Sequence, residues 1–258
     1  MNKFIQIRDL FYSYTDVNVL KGINLSLKKG EVLGVLGPNG SGKTTLLKII
    51  AGILKDYNGS LKINGKEVKS YSTKELAKIV SFVPQEFNPT FNFKCNTIIS
   101  FGRNPHINFF GGFTKEDFEI IDHAMSEADV DNLKNRYYFT LSGGEKQRVV
   151  IAKTFAQKGQ ILLLDELTTH LDPGHAQKIS RIIMEKIKKE SLTTFMVAHD
   201  VNEAIAFSQK LVFIKEGDVI AEGKPEDIVS EKLIRTVYGA KSAIIENPLT
   251  KKPYVIYH

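Results

Sequence analysis

Short apolar strands alternating with amphipathic helices predict an α/β chain built on a parallel sheet covered on both faces. Three observations carry that prediction. Val32 to Leu36 is an apolar run that passes through a glycine-rich loop into an apolar helix over Thr45 to Leu54. Ile161 to Leu164 and Thr194 to Ala198 are two more buried-type runs, followed by a fourth at Leu211 to Ile214. Helical patterns over Ala176 to Lys188 and Asn202 to Phe207 separate them.

The remaining elements follow from local pattern. Ile5 and Ile7 alternate with Gln6 and Arg8, and Leu10, Tyr12 and Tyr14 continue the alternation, so a strand opens the chain. Val19, Leu20, Ile23, Leu25 and Leu27 form a second strand region, ended at Lys29-Gly30. Ser72 and Glu75 have capping-box spacing ahead of Leu76 and Ile79, and Val80 to Val83 is then a strand stopped by Pro84-Gln85. From there to about Lys158 the pattern is helical. Thr114 and Asp117 cap a helix with Phe118, Ile121, Met125 and Ala128 on one face. Ser142 and Glu145 start another, carrying Val149, Ala152, Phe155 and Ala156. Glu216-Gly217-Asp218 turns a hairpin into Val219 to Ala221.

Composition excludes several classes. The chain has 258 residues, 42% hydrophobic and 25% charged, which is ordinary for a soluble globular protein. No apolar run approaches the roughly 20 residues of a membrane helix, and the start lacks a signal-peptide apolar region. The net charge of +6 is scattered, without the basic stripe and interleaved aromatics of a nucleic-acid surface. Cys95 is the single cysteine, which excludes an intramolecular disulfide and reads as a packed thiol.

Three stretches carry chemistry. Gly37-Pro38-Asn39-Gly40-Ser41-Gly42-Lys43-Thr44 lies between a strand and a helix, the context a phosphate loop requires. Its amides and glycines suit close approach to phosphate oxygens, Lys43 suits the β- and γ-phosphates, and the Thr44 hydroxyl suits magnesium. Thr45 follows in the helix. Asp165 ends an apolar strand, at the sheet edge where ligands of open α/β sheets bind, and is the expected magnesium partner. Glu166 beside it is placed to orient or deprotonate a water. Gln85 sits at a strand end, where an amide reaches magnesium or water, and His199 ends another buried strand within reach of a γ-phosphate. His123, His170 and His175 have no such positional argument.

With Leu141-Ser142-Gly143-Gly144-Glu145-Lys146-Gln147-Arg148 between the other two, the chain resembles the ATP-binding cassette of ABC transporters over nearly its whole length. The resemblance implies a phosphate-loop NTPase cassette of one nucleotide-binding domain. Residues 1–85 and 159–258 would form a parallel-sheet core with an antiparallel β subdomain, and residues 86–158 an α-helical subdomain. It implies ATP and Mg²⁺ as ligands. It makes Gln85 the Q-loop, Ser142 to Gly144 part of the signature, Leu171-Asp172 the D-loop and His199 the switch histidine. Tyr14 matches the aromatic that stacks on adenine, with Tyr12 as competitor. It further implies a head-to-tail homodimer, with each signature serving the partner's γ-phosphate. Other implied partners are a membrane permease dimer and, indirectly, a periplasmic or extracellular substrate-binding protein, with no nucleic acid. The place of work would be the cytoplasmic face of the cell membrane.

Two further stretches resemble cassettes of iron-siderophore, haem and cobalamin importers. They are Gly102-Arg103-Asn104-Pro105-His106 and the tail containing Glu222-Gly223-Lys224-Pro225 and Val237-Tyr238-Gly239. In the family the first suggests proximity to the permease, while Pro105 alone would mean a helix-ending loop. Leu167 departs from the proline usual after the catalytic glutamate, which predicts a less rigid turn. The expected function is an ATPase powering metal-chelate import. The rivals are an importer of molybdate, zinc or another solute, and a soluble cassette of iron-sulfur assembly or repair.

Overall fold

The computed structural model describes residues 3–107, 111–169 and 171–258. In chain order its elements are β1 (Ile5–Ser13), β2 (Asn18–Leu27), β3 (Val32–Leu36), α1 (Lys43–Ile50), β4 (Asn58–Ile63), β5 (Lys66–Glu67), α2 (Thr73–Ala77), β6 (Val80–Val83), α3 (Cys95–Ser100), α4 (Lys115–Glu127) and α5 (Gly143–Ala156). Then come β7 (Ile161–Asp165), α6 (Pro173–Glu190), β8 (Thr193–Val197), α7 (Val201–Phe207), β9 (Lys210–Lys215), β10 (Asp218–Gly223), α8 (Pro225–Ile228), α9 (Glu231–Tyr238), β11 (Ser242–Glu246) and β12 (Pro253–Tyr257). They fall into two compact units, residues 1–71 with 191–258, and residues 72–190.

The first unit holds two sheets. β1 is central to an antiparallel one, in the order β2-β1-β4-β5. Ile5 and Ile7 are buried as alternation predicts, while Leu10 and Tyr12 are buried after a register shift at Asp9, whose φ is 46°, and Tyr14 beyond the strand is exposed. In the other sheet β3 pairs in parallel with β8 and β9, and β9 pairs antiparallel with β10. All five residues of β3 and of β8 are buried, the mark of a sheet interior rather than a half-solvated strand. Beneath this sheet Leu36, Ala198, Val201, Phe213, Ile234 and Val255 share one apolar cluster. The ends of β3 and β8 therefore rest on the same core as α7, α9 and β12.

The second unit contains the parallel pair β6–β7 and a helical group in which α3 and α4 pack on α5. Its caps form as their spacing predicts. Ser72 with Glu75, Thr114 with Asp117 and Ser142 with Glu145 are all reciprocal capping boxes. Phe118 departs from expectation. It is 55% exposed, while Ile121 and Met125 of the same helix are buried. Phe118 instead packs against Phe113, ring centroids 5.8 Å apart, near the start of α4. Cys95 is a buried free thiol whose pKa is raised by burial, as a packed cysteine should be. Among the described residues no helix is long and apolar enough to cross a membrane.

Candidate active site

The glycine loop is shaped by its neighbours. Gly37 has φ +151°, and a Cβ there would lie 1.9 Å from the Ile214 carbonyl oxygen, so no other residue fits. Gly42, the N-cap of α1, has φ 100°, and its Cβ would fall 2.6 Å from Leu20 Cδ2. A glycine N-cap brings no side chain of its own, which leaves the helix N-terminus to its axial partial charge and to whatever anion meets it. Lys43 is buried, and its Nζ donates to the carbonyls of Gly37 and Pro38 at 2.9 Å each, so the ammonium folds back over the loop. Among the described residues Ser41 Oγ is buried without a hydrogen-bond partner. Glycines at 37 and 42 where a Cβ would clash, a cation lying across the loop and the buried Ser41 hydroxyl all fit a triphosphate.

Tyr14 and Tyr12 are separated by exposure. Tyr14 is 56% exposed with its hydroxyl 3.4 Å from Thr45 Oγ1, whereas Tyr12 is 8% exposed and meets Tyr14 edge-on at 5.0 Å. Only the first has a face to offer a base. His199 follows β8 and is exposed. The next residue, Asp200, caps α7 by accepting the Asn202 N–H at 2.7 Å. His199 and Asp200 border a cavity of about 770 Å³ that also touches Pro38, Asn39, Tyr238 and Tyr257. Burial raises the pKa of both tyrosines, with the Asp200 charge adding to the effect.

Part of that cavity's wall comes from α9 and the β11–β12 hairpin, two elements beyond those the sequence pattern predicts. The Asn202 amide clamps the hairpin backbone, accepting from Val255 N–H at 2.7 Å and donating to Val255 C=O at 3.0 Å. Lys252 Nζ donates to the carbonyls of Ile205, Ala206 and Ser208, satisfying the C-terminus of α7. The unbroken β-prone run Tyr254-Val255-Ile256-Tyr257 is a readable signal for the second strand.

In the second unit Asp165 ends β7 and is 2% exposed. Glu166 has φ +50°, an uncommon conformation for a residue with a side chain and one that clusters at functional sites. Gln85 Nε2 donates to Glu166 Oε2 at 2.8 Å, so the structure joins two residues that the sequence separates by 81 positions. Leu167 is buried.

Ser142 is engaged by its own cap. Its N–H and hydroxyl donate to Glu145 Oε2 at 2.8 and 3.0 Å. Those bonds, with Arg136 close by, hold the Glu145 carboxyl below its usual range. Among the described residues Gly143 has open space beside it, whereas Gly144 is buried. Asp172 accepts the N–H groups of Gly174 and His175, and His175 Nδ1 lies 2.5 Å from its other oxygen. These bonds lower the Asp172 pKa. His175 is thus a neighbour of two predicted site segments that sequence position alone did not reveal. His123 pairs with Glu127 at 3.3 Å on α4, and His170 lies outside the described residues.

The Gly102–His106 stretch staples the far end of α5. Arg103 is 6% exposed, donates to Asp117 Oδ1 at 2.8 Å and to the Ala156 carbonyl at 2.9 Å. His106 Nε2 lies 2.9 Å from the Gln157 carbonyl. A Cβ on Gly102 would meet the Lys153 carbonyl at 2.1 Å. The stretch therefore serves the last carbonyls of the helix whose first turn carries the signature.

The family described as ABC transporter matches residues 20–169. The petrobactin import ATP-binding protein FpuC of Bacillus anthracis is 34% identical over 250 residues, covering 97% of this chain and 91% of that protein. The iron(3+)-hydroxamate import ATP-binding protein FhuC of Bacillus subtilis is 34% identical, covering 96% and 93%. The ferric enterobactin transport ATP-binding protein FepC of Escherichia coli is 31% identical, covering 96% and 91%. Among solved structures, cbiO1 of Clostridium perfringens, part of the ABC transporter complex cbiONQ, superposes with a TM-score of 0.77 at 32% identity, covering 92% of this chain and 95% of that one. The cassette MJ0796 in a post-hydrolysis dimer bound to ADP and Pi superposes at 0.73 and 28% identity, covering 85% and 98%. With the phosphate loop, the joined glutamine and glutamate, and the capped signature helix in one chain, the protein belongs to the ABC transporter family, as an ATP-hydrolysing cassette of α/β fold.

Proposed function

We propose that this chain powers import of a metal chelate of the iron-siderophore class through a partner membrane permease, working at the cytoplasmic membrane face as a cassette dimer. The observation that carries the hydrolytic part is the 2.8 Å hydrogen bond from Gln85 to Glu166. It holds the carboxylate that accepts a proton from the attacking water, and it does so through a side chain able to let go when nucleotide arrives. Lys43 and the amides of Gly40 to Thr44 bind the β- and γ-phosphates. His199 contacts the γ-phosphate, and Tyr14 stacks on adenine, a contact worth roughly 1–3 kcal/mol. Thr44, Asp165 and Gln85 are the residues that would hold magnesium. The ion, when bound, neutralises charge that develops on the phosphate oxygens. Ser142, Gly143, Gly144 and Asp172 address the nucleotide of the partner cassette.

The cargo class is supported by near full-length similarity to siderophore import proteins, and the Gly102–His106 stretch resembles the cassettes of that group. The testing experiment is a tagged pull-down from gently solubilised native membranes. A polytopic membrane protein recovered at one-to-one stoichiometry is the expected result, followed by loss of ferric-siderophore uptake when the chain is deleted. Recovery only from the soluble fraction, with nucleic acid or iron-sulfur proteins, would overturn the transport reading.

A further inference from the structure

Gly144 has no Cβ for a reason that lies within its own chain. A Cβ there would stand 2.7 Å from His175 Cδ2 and 3.2 Å from Cγ, closer than packed carbons approach. Among the described residues nothing lies within 4 Å of a Cβ placed on the neighbouring Gly143. The His175 ring is not free to swing aside, because Nδ1 is held 2.5 Å from Asp172 Oδ2 and the His175 N–H donates to Asp172 Oδ1 at 3.1 Å. One imidazole therefore has its Nδ1 edge on Asp172 and its Cδ2 edge against the backbone that begins α5. We infer that His175 is a positioning residue that sets the signature turn Ser142–Gly144 and Asp172 in one fixed relation. The inference rests on the reading that both segments address a bound nucleotide. It gives His175 no contact with the nucleotide itself.

Two chemical consequences follow. A displaced ring would release Asp172 Oδ2 while the Gly174 and His175 N–H groups still hold Oδ1, and would take from Gly144 the ring edge that stands against it. Both segments would then lose their mutual register while each helix kept its own cap. The effect belongs to turnover rather than to nucleotide capture, because the Lys43 loop that captures ATP is a different segment. Misplacing such contacts by a fraction of an ångström to an ångström costs turnover on the scale of tens-fold.

The test is a two-residue cycle in the full chain, read by kcat, KM for ATP and thermal unfolding. His175→Ala is expected to lower kcat roughly tenfold with KM within about twofold and unfolding little changed. His175→Gln, whose amide can still donate to Asp172, should recover most of the loss. Gly144→Ala alone should cut kcat at least as deeply. In the His175→Ala background it should add nothing, because the Cβ no longer meets a ring. Penalties that multiply independently, or a His175→Ala enzyme with kcat within about twofold of the parent, would overturn the inference. Equal losses in kcat and unfolding midpoint that the glutamine does not restore would also overturn it. Lys43→Ala is the separate control. Turnover surviving that change would sink the nucleotide reading itself, whatever His175 does.

Discussion

The Gln85–Glu166 pair shows what a single side chain is asked to do here. Glu166 stands in a strained backbone conformation beside the buried Asp165, so its carboxylate is aimed by the chain and steadied by one amide. Removing its charge while keeping its shape separates binding from chemistry. Glu166→Gln is expected to bind ATP at near-parental affinity and to lose about 10²- to 10⁴-fold in hydrolysis, measured by phosphate release against equilibrium binding. Asp117 makes a second prediction at this scale. Burial alone would push its pKa up, but hydrogen bonds from the Thr114 N–H, from Arg103 and from the Thr114 hydroxyl outweigh it and bring the pKa down to about 2. A carboxyl depressed in the folded state adds stability that is fully present above its unfolded pKa. That stability is lost as pH falls from about 4 toward 2. Urea unfolding of Asp117→Asn across this window should show a flatter acid limb than the parent protein.

The helix α5 shows how an element is fixed from both ends. Its N-terminus carries the Ser142–Glu145 box, reinforced by Arg136, and its C-terminal carbonyls are met by Arg103 and His106. A guanidinium at a helix C-terminus complements the partial negative charge there as well as bonding it. Arg103→Met would leave Asp117 buried and short of its cation, and should destabilise the protein by about 3–5 kcal/mol in denaturant unfolding. The β11–β12 hairpin is anchored by a different device. Asn202→Ala would strand the Val255 N–H and C=O, and should cost about 2 kcal/mol while leaving the glycine loop in place. Because α7 begins one residue after the Asp200 cap, hydrogen exchange at His199 and Asp200 should rise in that variant.

For the whole molecule the question is what completes the nucleotide site. The Ser142 N–H and hydroxyl are engaged by Glu145 within this chain, and in the proposed function the signature turn serves the nucleotide of a second copy. On the proposed reading a cassette dimer supplies that role; the solved cassette MJ0796, 28% identical to this chain, is dimeric. With ATP held and not hydrolysed, Glu166→Gln is expected to run at twice the monomer mass in light scattering and to return to monomer with ADP. A strictly monomeric species at high concentration would mean that the permease, not nucleotide, brings two copies together.

The sequence by itself determined the phosphate loop, the carboxylate pair at the end of β7, the three capping boxes and the signature. Each depends on neighbours within a few residues, where strand, turn and helix-start chemistry is local. It also carried the family, because those local signals stand in a fixed order. Only the tertiary structure separated an exposed Tyr14 from a buried Tyr12, since a ring's exposure depends on what packs over it. Only it joined Gln85 to Glu166, gave Arg103 a helix end to serve, placed His175 against Gly144, and seated a C-terminal hairpin on the helix that follows His199. Those contacts close long loops, and loop closure is fixed by burial of the whole core rather than by any stretch of residues that can be read in isolation.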